Sequence, residues 1–325
     1  MKALLCTQYG VPDQLTVQEI ATPEPGPGQV RVKVHACGVN FADTLIIQGL
    51  YQVKPALPFS PGLELAGMVS AVGPDVTALK VGDKVASVAS HGGMAEEVII
   101  DAKGAIAIPE GLSCVEAAAF PVAYGTSHLG LWHRAKLNPG ENLLVLGASG
   151  GVGLTAVQIG KEMGANVIAA ASTDAKLQVA KDAGAHHLIN YEKEDLREAV
   201  LALGGADVIY DPVGGNALKD AMRAINWEGR IVVIGFASGD IPQIPANILL
   251  VKNIAAIGLF WGAYAERDPA LMAASLQQLM QWRVQDKFVP HISKTYSLEE
   301  APQAFSDLAA RKSTGKLVIQ VCPDC

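Results

Sequence analysis

Residues 143–176 restrict the fold of this chain more than any other segment. Leu143-Leu-Val-Leu146 is an apolar run with the length of a buried strand. Gly147-Ala-Ser-Gly-Gly-Val-Gly153 is a glycine-rich turn, and an amphipathic stretch then leads to Gly164. Asn166-Val-Ile-Ala-Ala-Ala171 is a second apolar run. Strand, turn, helix and strand in this order form the unit in which backbone N–H groups and a helix N-terminus face a pyrophosphate. The fingerprint reads Ala148-x-Gly150-x-x-Gly153, with Gly151 and Val152 between its last two members. Ala148 stands where a first glycine is usual. Gly150 allows close approach of a phosphate, and Gly153 allows the helix to pack on the strand.

The same βα rhythm runs through the middle of the chain. Strands are predicted at Asn142–Leu146, Asn166–Ala171, His187–Ile189, Ala206–Asp211, Arg230–Gly235 and Asn253–Phe260, which suits a doubly wound, parallel six-stranded sheet. Residues 1–122 read differently. Short alternating runs at Gln29–Ala36, Leu65–Val72, Lys84–Ala89 and Met94–Ile100 are separated by Gly/Pro turns, a β pattern of barrel type, with the first helix expected at Cys114–Phe120. After a helix at Pro269–Arg283, two strand-like pieces, His291–Tyr296 and Lys316–Val321, flank a helix at Leu298–Arg311. These strands have no place in a completed six-stranded sheet. The expected division is therefore a discontinuous domain of residues 1–122 plus 265–325 around a nucleotide-binding domain of residues 123–264.

The charge of −7, with both signs interleaved, argues against a nucleic-acid surface. No apolar run reaches the ~18 residues of a membrane span, and the N-terminus reads as a strand rather than a signal peptide. A cytoplasmic protein acting on a small molecule is expected. Five scattered cysteines do not make a disulfide framework, and Cys322-Pro-Asp-Cys325 lacks the following helix that a redox motif needs.

Several motifs together carry a family resemblance. They are Gly38-Val-Asn-Phe-Ala-Asp43, Gly49-Leu-Tyr51, Pro61-Gly-Leu-Glu64, Val81-Gly-Asp83, Gly92-Gly-Met-Ala-Glu96, the Ala148–Gly153 turn and Ile209-Tyr-Asp-Pro-Val-Gly-Gly215. Over essentially its whole length the chain resembles the medium-chain dehydrogenases/reductases, specifically the zinc-free NADPH:quinone oxidoreductase branch that includes zeta-crystallin. The resemblance implies a GroES-like β-barrel-type catalytic domain beside the Rossmann domain. Zinc-dependent members carry a cysteine at the position of Asn40 and a histidine at that of Leu63; leucine offers zinc no ligand atom, so no metal is expected.

The second strand of the nucleotide unit ends Ala170-Ala171-Ser172 without the carboxylate that binds the ribose hydroxyls of NADH. Ser172 and Lys176 offer a hydrogen-bond donor and a positive charge to a 2′-phosphate, and Tyr191 matches a residue that contacts it in related reductases. NADPH is therefore expected. Asp174 is the competing ribose ligand, but it lies beyond the usual position and suits a helix N-cap. By resemblance, Asn40 and Thr126 lie near the nicotinamide, Gly235-Phe236 and Phe260-Trp261 line its surroundings, and Arg311 is a basic residue near the cofactor. Tyr51 matches a tyrosine proposed as proton donor in enoyl-thioester reductases. The stretch Asp43-Thr-Leu45-Ile-Ile47 lacks the tyrosine and arginine common in quinone reductases, which makes the substrate pocket more apolar.

The expected activity is hydride transfer to a quinone or enone. A 2-enoyl thioester reductase is a second possibility, and a non-catalytic, crystallin-like nucleotide-binding or RNA-contacting protein a third. A homodimer is expected from the apolar strand Asn253–Phe260, which a six-stranded sheet leaves at its edge.

Overall fold

The computed structural model describes residues 1–322. The chain begins with strands β1 (Lys2–Leu5), β2 (Thr16–Glu19) and β3 (Gln29–Val39), followed by helix α1 (Phe41–Ile47). Then come β4 (Glu64–Val72), β5 (Lys84–Val88), β6 (Glu97–Asp101), β7 (Ile106–Ala107) and the short α2 (Cys114–Ala118). Helix α3 (Pro121–His128) continues as one π-helical stretch, Leu129–Arg134.

A regular alternation follows: β8 (Asn142–Leu146), α4 (Gly151–Glu162), β9 (Asn166–Ala171), α5 (Asp174–Asp182), β10 (His187–Asn190), α6 (Leu196–Ala202), β11 (Ala206–Asp211), α7 (Gly215–Arg223), β12 (Ile225–Val233), α8 (Ala246–Lys252) and β13 (Ala255–Gly258). Helices α9 (Tyr264–Arg267) and α10 (Pro269–Val284) come next, and β14 (Ile292–Ser297), α11 (Ala301–Ala309) and β15 (Lys316–Gln320) end the chain.

Two compact units result, and the first is discontinuous. It comprises Met1–Val122 and the chain from Pro290 onward; the second runs from Ala123 to Val289. The expected return at residue 265 is thus corrected to Pro290. Residues 265–289 stay with the nucleotide-binding unit because their side chains are committed there. His128 Nδ1 and Ser275 Oγ are 2.8 Å apart, Phe288 stacks on Tyr124 at 4.7 Å, and the Val289 carbonyl accepts from Gln158 Nε2 at 3.1 Å.

In the second unit six parallel strands take the order β10-β9-β8-β11-β12-β13, with the crossover of a doubly wound dinucleotide-binding sheet. Leu143–Leu146 of β8 are fully buried, as both faces of such a sheet are covered. In the first unit the tail strands find their place. β15 pairs antiparallel with the C-terminal part of β3 (Ala36–Val39), while β6 pairs with its N-terminal part (Gln29–Lys33). β4 lines the other edge of β3, completing a sheet of order β14-β15-β3-β4-β5-β7. Its core gathers Val32, Val34, Leu65, Val85, Phe305 and Ile319.

One helix escapes the sequence reading. α1 lies inside the stretch read as all-β, so the first helix begins at Phe41 rather than Cys114. Its start is set by a reciprocal contact: the Asp43 carboxylate accepts from the Asn40 backbone N–H at 2.9 Å. No helix among the described residues is long and apolar enough to cross a membrane. Cys6 and Cys37 are buried free thiols; Cys325, half of the terminal Cys322/Cys325 pair, lies outside the described residues.

Candidate active site

In the first unit, a buried polar cluster forms where β3, α1, β4 and β15 meet. Lys316 opens β15, and its ammonium donates to the Val39 carbonyl at 3.0 Å, Asn40 Oδ1 at 2.6 Å and Glu64 Oε1 at 2.7 Å. Asn40 Nδ2 also donates to Glu64 Oε1, at 2.9 Å, and the Val122 backbone N–H donates to Glu64 Oε2 at 2.8 Å. The Lys316 and Glu64 side chains are 4% and 0% exposed. Burying two charges is tolerated only when every proton and lone pair finds a partner, and all three ammonium protons do so here. Gly38 makes the room: a Cβ there would collide with the Glu64 carboxylate and the Ala118 carbonyl.

This network fixes the Asn40 carboxamide. A cation must face its oxygen and a carboxylate its nitrogen, so only one orientation satisfies both neighbours. One amide N–H then remains beyond these bonds. Asp43, fully buried one turn away, accepts from the Asn40 and Gly62 backbone N–H groups at 2.9 and 3.2 Å, yet burial drives its carboxyl up to about 7. Burial, and then the Asp43 charge, push the Tyr51 phenol above its ordinary value. Tyr51 is therefore protonated at neutral pH and a weaker acid than a free phenol.

In the second unit, β8 ends in the glycine turn. Gly150 precedes α4 with no side chain capping the helix, which leaves its first N–H groups for a ligand. Gly153 packs so closely that a Cβ would strike the Gly147 carbonyl. Behind the turn, Ser127 Oγ donates to the Val152 carbonyl at 2.9 Å and lies 2.7 Å from Thr155 Oγ1 and 2.9 Å from the Tyr210 hydroxyl. This buried chain ties α3 and β11 to the start of α4, beside buried Thr126.

Ser172 directly follows β9, and Lys176 stands in the first turn of α5. The Tyr191 N–H donates to the Ala171 carbonyl at 3.3 Å, which brings Tyr191 to the same strand end. The N-cap of α5 is Thr173, whose Oγ1 accepts from the Lys176 N–H at 3.3 Å, and not Asp174 as expected. The Asp174 carboxylate is instead engaged by Asn190 and Lys193. Gly235 follows β12, where its N–H points to the Asp211 carbonyl at 3.4 Å, and Phe236 is half-buried beyond it. Trp261 is buried with its indole against Gly125 of α3, while Phe260 is exposed.

Asn40, Asp43, Tyr51 and Glu64 thus belong to the first unit with Arg311, which follows α11 in left-handed conformation and is exposed. The nucleotide-binding residues belong to the second unit. Sequence reading chose Arg311 from the stretch Arg311–Gly315 and passed over Lys316, the buried cation next in line. It also missed Ser127, Thr155 and Tyr210, since lone hydroxyls carry no periodic signal.

Comparisons with known proteins bear on the family and the fold. Residues 26–110 match the family model of the alcohol dehydrogenase GroES-like domain, and residues 151–278 match that of the zinc-binding dehydrogenases. The chain is 45% identical over 324 residues to the quinone oxidoreductase-like protein 2 of Mus musculus, covering 98% of this chain and 92% of the mouse protein. It is 33% identical to the quinone oxidoreductase of Sus scrofa, covering 98% and 97% of the two chains. The crystal structure of Escherichia coli quinone oxidoreductase complexed with NADPH superimposes with a TM-score of 0.90 at 29% identity, covering 99% of this chain and 100% of the other.

Proposed function

The chain belongs to the quinone oxidoreductase branch of the medium-chain dehydrogenase/reductase superfamily, and from that premise we propose that it is an NADPH-dependent, zinc-independent reductase of quinones or activated enones. The observation that carries the reading is the uncapped start of α4 beneath the Gly147–Gly153 turn, with Ser172, Lys176 and Tyr191 gathered at the end of β9. The turn's N–H groups and the helix N-terminus would hold the pyrophosphate. Ser172, Lys176 and Tyr191 would hold the 2′-phosphate. The nicotinamide supplies a hydride, and the protein's task is to bind and orient.

The residues present do not fit a zinc ion. Leu63 offers no donor, and the oxygens of Asn40 and Glu64 already surround the Lys316 ammonium. That cluster instead holds the Asn40 amide rigid, so its remaining N–H is preorganised to donate to a ligand oxygen.

A quinone takes its protons from water after gaining two electrons. An enone or a 2-enoyl thioester must be protonated at carbon, and Tyr51, a phenol of the first unit, is the donor that second reading requires. A second copy of this chain is proposed to pair along β13, forming a homodimer.

Binding of both cofactors to Ser172→Ala and Lys176→Ala tests the proposal. Charge-assisted contacts of about 1.5–3 kcal/mol predict that each variant loses NADPH affinity by about ten- to a hundredfold while keeping NADH. An unchanged ratio in both would place the phosphate elsewhere. Turnover of a quinone, enone and enoyl-thioester panel with NADPH then identifies the acceptor class.

A further inference from the structure

At the N-terminus of α5 a carboxylate is held under a lysine. Asp174 Oδ1 accepts from Asn190 Nδ2 at 2.5 Å, and Asp174 Oδ2 accepts from Lys193 Nζ at 2.5 Å. Asn190 ends β10, is 5% exposed and pairs in register with Ala171. Its own oxygens organise the next turn: the carbonyl accepts from the N–H groups of Lys193 and Glu194 at 2.9 and 3.0 Å, and Oδ1 from the Glu192 N–H at 3.2 Å. The turn that begins with Tyr191 therefore folds back and delivers Lys193 onto the first residue of α5. Lys193 first, then Asn190, hold the Asp174 carboxyl below its ordinary range, so it is anionic at neutral pH.

This arrangement is not explained by stability. The two side chains are 65% and 68% exposed, and pairs that open to water contribute little. Its consequence lies in where it sits. A free carboxylate just beyond the second strand of a dinucleotide sheet accepts hydrogen bonds from ribose hydroxyls and repels a phosphate ester in the same place. Ser172 is two residues before Asp174 and Lys176 two residues after it, so the acid stands within the candidate phosphate site. Lys176 has no ion-pair partner among the described residues, and its charge remains for a ligand.

We propose that Lys193 is a specificity-determining residue that masks Asp174, converting what would be an NADH-type ribose site into one that accepts the 2′-phosphate of NADPH. The proposal rests on the reading of Ser172 and Lys176 as the phosphate site. It assigns Lys193 an action through Asp174 rather than a direct bond to the phosphate, and that action has its own signature.

The test is equilibrium binding of NADPH and NADH, by fluorescence titration, to the wild type, Lys193→Met, Asp174→Asn and the double variant. Lys193→Met is expected to weaken NADPH by about tenfold, the scale of one uncompensated like charge near a protein surface, and to leave NADH unchanged or tighter. Asp174→Asn alone is expected to bind NADPH no more weakly than the wild type. With Asp174→Asn in place, Lys193→Met should cost about threefold or less, because no carboxylate remains to unmask. An equal loss in both backgrounds, or no loss in either, overturns the masking role. The two readings fail distinguishably. Ser172→Ala and Lys176→Ala that leave the ratio unchanged would overturn the phosphate site and the mask with it, whereas a ratio shifted by those two variants but not by Lys193→Met would overturn the mask alone.

Discussion

Lys316 and Glu64 are closed off from bulk solvent, so neither can exchange its partner for solvent when the other is removed. Lys316→Met would leave Glu64 charged and buried with only two of its hydrogen bonds. Breaking one side of such a pair typically costs about 3–5 kcal/mol, and urea denaturation should register a loss on that scale. Adding Glu64→Gln should recover part of it; a double variant as unstable as the sum of the singles would show that the two charges are not coupled. Tyr51 is tested by chemistry. Tyr51→Phe should leave quinone reduction largely intact and slow reduction of enones or enoyl thioesters by about 10²-fold or more, the range of a lost general acid. Equal loss on both substrates would reduce Tyr51 to a packing role. The sequence offers Asn40 and Tyr51 as candidates because each sits in a motif with a glycine two residues before it. It hid Lys316 because a lysine before Leu-Val-Ile looks like any polar residue at a strand end. Only β15's antiparallel register with β3, set by contacts across the chain, carries it inward.

At the scale of elements, strands with both faces buried were legible almost to the residue: β8, β9 and β11 match their expected spans. Edge and short elements were not. β13 is Ala255–Gly258 rather than Asn253–Phe260, and α1 has only seven residues, too few for periodicity to show. Its origin lies in Asp43 reaching back to Asn40, which propensity does not report. Helix α3 carries another feature absent from any pattern. His128 near its end is 3% exposed, stacked on Trp132 at 5.2 Å and edge-on to Trp282 at 5.4 Å. Burial pushes its imidazole from 6.5 down to about 4. The unfolded chain then takes up a proton that the folded one refuses. Stability contributed by neutral His128 is complete above about pH 6.5 and is lost as the pH falls toward about 4, by up to about 3 kcal/mol. Unfolding free energies from pH 7 to 4 should show this decline in the wild type and a flatter profile in His128→Gln; parallel profiles would mean that His128 protonates without cost.

For the whole molecule, the turn from β pattern to βα rhythm near residue 123 was plain in the sequence, but the return was placed early. Residues 265–289 carry no polarity change, and only their side-chain partners on α3 and α4 decide where they belong. The proposed dimer also belongs to this scale. β13 is an edge strand whose Ala255, Ala256 and Gly258 are exposed, and on neighbouring α8 Leu250 and Val251 are 76% and 64% exposed. Sheet edges of this character are usually covered. Light scattering at micromolar concentration should give twice the 34.0 kDa of one chain, and Ile257→Asp should shift it toward the monomer. A wild type at single-chain mass would dismiss the pairing.

The late return of the chain sets an order of assembly during synthesis. Glu64 waits for Lys316, 252 residues downstream, and the edge of β3 at Ala36–Val39 waits for β15. By then the uninterrupted stretch from Ala123 to Val289 has already left the ribosome and can fold as a unit. The first unit, although it starts first, closes last. Until β15 arrives it presents an open strand edge and a carboxylate without its counter-charge. That interval is when a nascent chain is most exposed to strand pairing with its neighbours, and the docking of β15 on β3 ends it.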